Sequence, residues 1–108
     1  MTSRLLLLAA LTAALSGCSP CEEACRVESR QFEDCLSEWG MDWIDVGALD
    51  KIDYRKTCVA EVDVWLDGLE ADARAEENRQ CQGLVNDLQG QTNCDAAWQA
   101  LVDYGTVE

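Results

Sequence analysis

Histidine is absent from this chain, and proline and phenylalanine occur once each, as Pro20 and Phe32. Without histidine there is no Ser-His-Asp or Cys-His catalysis, no ordinary zinc site and no imidazole pH switch. Basic residues are few, eight Lys and Arg against 21 Asp and Glu, with a formal net charge of −13. A chain so acidic repels nucleic acid and anionic lipid headgroups, and no basic patch offsets this. There is no glycine-rich phosphate loop, no internal repeat and no low-complexity segment. No β-branched alternating run reads as a strand. No apolar run reaches the roughly twenty residues that a transmembrane helix needs.

What is there begins at Met1. Arg4 precedes an apolar core from Leu5 to Leu15, and Ser16, Gly17 and Cys18 follow. A short basic end, an apolar core of about ten residues and small residues before a cut site describe a secretory signal peptide. Leu15-Ser16-Gly17-Cys18 resembles the lipobox of bacterial lipoproteins. The resemblance implies that residues 1–17 are removed and that the Cys18 thiol receives a diacylglycerol. It also implies that Cys18 becomes the acylated first residue, anchoring the protein in a lipid membrane. Two or three chains on one residue hold far more firmly than a single chain. In that family an Asp after the cysteine retains the protein in the inner membrane. Ser19 resembles the outer-membrane default, which makes the outer membrane the expected location. Residues 18–20 form a short tether, and residues 21–108 an acidic, cysteine-rich helical domain close to the bilayer.

Seven cysteines are present, Cys18, Cys21, Cys25, Cys35, Cys58, Cys81 and Cys94. Lipidation of Cys18 leaves six, an even number that reads as a disulfide framework in a small exported domain. About ninety residues remain after cleavage, enough for one small domain that buries about two-thirds of its surface and of a kind often stapled. Cys18-Ser19-Pro20-Cys21 has redox-dithiol spacing, but no thioredoxin-like pattern follows it.

The periodicity predicts an all-α bundle of three to four helices. Ser19-Pro20, then Glu22 and Glu23, marks a helix start, and this first helix is expected to run to Trp39, with Gly40 closing it. Gly40 to Asp50 is a connector rich in apolar residues, among them Met41, Trp43 and Ile44. It reads either as a lid over the core or as a partner surface. A second helix is expected from about Asp50 to Leu69, with Tyr54, Cys58, Val62, Trp65, Leu66 and Leu69 on one face. Glu70 to Glu77 reads as further helix or a loose turn. A third helix is expected from about Glu76 to Leu88. A fourth follows from Cys94 to about Tyr104, capped by Thr92 or Asn93, with Ala97, Trp98, Leu101 and Val102 inward.

Helix geometry limits the disulfides. At a rise of about 1.5 Å per residue, Cys25 and Cys35 stand about 15 Å apart along one helix. A disulfide needs Cα atoms within roughly 7 Å. Cys21 and Cys25 lie one turn apart with parallel Cβ vectors, which is poor geometry. A continuous first helix must therefore bond outward, and the fifteen pairings open to six cysteines fall to six. Up-down-up-down order favours Cys21–Cys81, Cys25–Cys58 and Cys35–Cys94. The runner-up is the nested set Cys21–Cys94, Cys25–Cys81 and Cys35–Cys58.

No catalytic residues, metal ligands or cofactor site emerge. Carboxylates cluster at Asp42, Asp45, Asp50 and Asp53, and again at Asp63, Asp67, Glu70 and Asp72. Neither group has the order of an EF-hand loop. The expected function is a non-catalytic binding or structural lipoprotein of the cell envelope, facing the periplasm. Met41, Trp43 and Ile44 form its candidate surface for another envelope protein. The competing readings are a weak divalent-cation-dependent factor or small enzyme using the acidic cluster, and an inhibitor of a cationic enzyme.

Overall fold

Ser19 sets the start of the first helix. Its hydroxyl accepts a hydrogen bond from the Glu22 N–H at 3.1 Å, Pro20 needs no backbone partner, and Glu22 and Glu23 face the positive end of the dipole. The computed structural model describes residues 19–91 and 93–105. Four α-helices run through them: α1 (Pro20–Cys35), α2 (Lys51–Asp67), α3 (Ala71–Gln89) and α4 (Cys94–Asp103). A single 3₁₀ turn, Trp43–Val46, lies between α1 and α2, and there is no strand among the described residues. The stretch expected to be a signal peptide, residues 1–17, and Cys18 lie outside the described residues, as does the expected cap Thr92.

The α-helix proper stops at Cys35, four residues before the expected Trp39. Tightened turns carry the chain on to Gly40, whose φ of +68° closes them. The Gly40 N–H donates to the Ser37 carbonyl and the Met41 N–H to the Leu36 carbonyl, the paired bonds of a Schellman end. The later helices also differ from expectation at their edges. Asp50 caps α2 by accepting from the Asp53 N–H at 2.8 Å, and α2 ends at Asp67 rather than Leu69. Helix α3 begins at Ala71, five residues before the expected start, because Ala71, Ala73, Arg74, Ala75, Glu76 and Glu77 are strong helix formers and Asp72 in the first turn suits the dipole. The Arg74 guanidinium donates to the Leu66 and Leu69 carbonyls, both at 3.0 Å, and so satisfies the end of α2. Asn93 caps α4, its side chain accepting from the Ala96 N–H at 2.7 Å.

Helix α1 is the hub. It touches α2, α3 and α4, and it buries Cys21, Ala24, Cys25, Val27, Phe32 and Cys35. The core joins these to Leu84, Val85 and Leu88 of α3 and to Ala97, Ala100 and Leu101 of α4. Helix α2 lies outside this core, against α1 and the 3₁₀ turn. Of its expected inward face only Leu66 is fully buried, while Tyr54, Cys58, Val62 and Leu69 are half-buried and Trp65 is exposed. The face is thin because apolar residues are scattered around the helix, with Ile52 and Val64 pointing to solvent. On α4, Val102 is exposed and Ala100 takes an inward place.

Cross-links fix the register. Between α1 and α2 the rungs are Glu33 with Lys51 (3.2 Å), Glu28 with Tyr54 (2.7 Å) and Cys25 with Cys58. They descend one helix while climbing the other, so the pair is antiparallel. Between α1 and α3 the rungs are Cys21 with Cys81 and the Gln31 side-chain amide with the Leu88 carbonyl (3.2 Å). These climb together, so α1 and α3 run parallel.

Candidate functional site

Three disulfides tie the bundle: Cys21–Cys81, Cys25–Cys58 and Cys35–Cys94, with Cα separations of 4.9, 5.8 and 5.5 Å. All are compatible with unforced bridging. Each leaves α1 for a different helix, the pairing that up-down-up-down order favours. The nested alternative does not occur. The six described cysteines are thereby joined among themselves, and none remains as a partner for Cys18.

The connector's three candidate surface residues are divided by the fold. Met41 and Trp43 are half-buried and pack on the core, with the Trp43 ring 6.3 Å from Phe32 and 6.2 Å from Tyr54. Ile44, on the same 3₁₀ turn, is 77% exposed. Leu49 and Ile52 are exposed as well. The connector thus closes over Phe32 with one side and turns apolar side chains outward with the other. Trp39 strengthens this end: its indole N–H donates to the Cys94 carbonyl at 3.1 Å, and its ring lies 5.1 Å from Trp98.

The acidic residues around the connector are engaged by backbone. Asp45 accepts from the Asp42 N–H, Asp50 from the Asp53 N–H, and Asp53 from the Leu49 N–H. Among the described residues no group of three or more Asp, Glu or Cys side chains could hold a metal ion. Between α1, α2 and α3 a cavity of about 130 Å³ is lined by the Cys21–Cys81 and Cys25–Cys58 bridges with Val62, Trp65 and Tyr104. It is smaller than a typical ligand pocket. No described helix is long and apolar enough to cross a membrane.

One polar pair inside the fold escapes sequence reading. Glu28 is 6% exposed, and the Tyr54 hydroxyl donates to its Oε2 at 2.7 Å. Both residues stand one turn from the Cys25–Cys58 bridge, a spacing visible only once that pairing is known. Burial and the Glu28 carboxylate beside it push the Tyr54 phenol well above its ordinary range. The folded state therefore holds this proton after the unfolded chain has lost it. The stabilisation is complete below pH 10 and falls by about 1.4 kcal/mol per pH unit above it. Melting temperatures between pH 9 and 12 should decline more steeply for the native protein than for Tyr54→Phe; parallel curves would contradict the assignment.

No family model matches the chain, and no curated protein or solved structure shows significant similarity to it.

Proposed function

We propose that this chain is an exported lipoprotein, acylated on Cys18 and held at the outer membrane. Its disulfide-locked domain serves there as a non-catalytic binding or structural module of the cell envelope. The observation that carries the reading is the cysteine balance. Six of seven thiols are consumed in three helix-to-helix bridges, and the odd one directly follows Leu15-Ser16-Gly17. In an oxidising compartment a leftover exposed thiol is a liability, and acylation removes it. The surface offered to another envelope protein is Ile44 and Leu49 on the outward side of the connector, with Ile52 at the start of α2; Trp43 and Met41 hold the connector to the core.

The test is intact mass and fractionation. The mature protein is expected to begin at Cys18, to carry two or three acyl chains and to partition with membranes. Cys18→Ser should abolish acylation and move the protein to the soluble fraction. Its melting temperature should stay within about 2 °C of the parent's, since the removed thiol belongs to none of the three bridges. An unmodified mass for the exported native chain would defeat the reading.

A further inference from the structure

We infer that the α2–α3 end of the bundle is a second membrane contact, so that the domain rests against a zwitterionic bilayer beside its anchor. The inference relies on the acylation of Cys18 proposed above. It follows from register and tether length.

The rungs Glu33–Lys51, Glu28–Tyr54 and Cys25–Cys58, continued one turn further, bring Glu22 within a turn of Asp63, the neighbour that holds the Glu22 carboxyl above its usual range. Pro20 therefore stands near the level of Asp63, and Val64 to Asp67 run on for about 6 Å past the start of α1. On the other side Cys21 bonds Cys81, and its sulfur lies 3.6 Å from the Glu77 carbonyl. Ala71 to Arg79 accordingly extend about 13 Å past the same level. The α2–α3 turn overhangs the point where the chain enters the domain.

Cys18 is two residues from Pro20, so its Cα lies within about 7 Å of that of Pro20. An upright domain would put the α2–α3 turn level with the acylated residue, inside a headgroup layer only about 5–8 Å thick. An upright posture on this short anchor therefore seats the overhang in the interface. Its composition suits that place. Val64 is 76% exposed, and Trp65, one edge of which lines the inter-helix cavity, keeps 48% of its surface outward, an aliphatic and an indole side chain of the kind that settles at headgroup depth. Asp63, Asp67, Glu70 and Asp72 surround them, and Arg74 is spent on backbone carbonyls. This charge opposes anionic lipid and accepts the ammonium of zwitterionic headgroups.

Hydroxyl-radical footprinting read by mass spectrometry tests it. The acylated full chain in phosphatidylethanolamine–phosphatidylcholine vesicles is compared with soluble Cys18→Ser. Oxidation of Trp65 should fall about threefold or more in vesicles, while Ile44 and Leu49, at the far end, stay unchanged. Adding anionic lipid should weaken the protection. Equal oxidation of Trp65 in both forms, with acyl groups present by mass, overturns this inference and leaves the anchor standing. Equal protection of Ile44 and Leu49 overturns it too. Protection seen in native envelopes but not in pure lipid assigns the surface to a protein and overturns the lipid contact. A chain without acyl groups removes the anchor and this contact together.

Discussion

Reduction of the three disulfides at neutral pH is expected to unfold the domain. The bridges close sequence separations of 60, 33 and 59 residues. On the chain-entropy account each contributes about 4 kcal/mol, chiefly by restricting the unfolded state. Natural domains as a whole are stable by only about 5–15 kcal/mol. The loops overlap, so the three contributions do not simply add, but together they are comparable to the whole net stability of a domain. Far-UV circular dichroism should show most helicity lost on adding reductant and recovered on reoxidation. The single bridges should not behave alike. Helix α2 packs on α1 and the 3₁₀ turn outside the core, so the Cys25→Ala, Cys58→Ala variant should release α2 first. Amide exchange should accelerate there more than in α3. Retention of full helicity in reductant would show that the core suffices without its staples.

Truncation of Phe32 carries the second large effect. Phe32 is 1% exposed, and three rings meet its edge or face: Tyr54 at 5.0 Å, with Trp39 and Trp43 at 6.3 Å. Phe32→Ala should cost about 3–5 kcal/mol, because the transfer term and the cavity act together and the neighbouring rings cannot collapse into the gap. The loss should have a local signature. Trp43 rests on Phe32, so its emission should shift to the red as the connector loosens. Ile44→Ala, one residue further along but exposed, should stay within about 0.5 kcal/mol. Denaturant titration compares the two. A cost for Phe32→Ala below about 1 kcal/mol would mean that the connector is not held by this ring.

Much of the fold is legible along the chain because its signals are local. Ser19, Asp50 and Asn93 announce helix starts through side chains that reach their own backbone N–H groups, and Gly40 announces a stop. The disulfides are nearly legible for a related reason. A rigid helix cannot bond to itself over three turns, so Cys21, Cys25 and Cys35 had to reach outward. Ala71 to Ala75 was harder to read, since alanine and acids suit both a helix and its fraying end. There the deciding contact, Arg74 to the carbonyls of α2, comes from the previous helix.

The amino-acid sequence by itself determined the helices, their order, the acidity and the odd number of thiols, since each depends on composition or on neighbours a few positions apart. Only the tertiary structure decided that α1 is the hub and α2 an outrider. It also decided which side of the connector faces water, that Tyr54 guards Glu28, and how far the α2–α3 turn projects beyond Pro20. Those facts depend on which surfaces remain uncovered after packing, and coverage is a property of the assembled helices that no single stretch of chain carries.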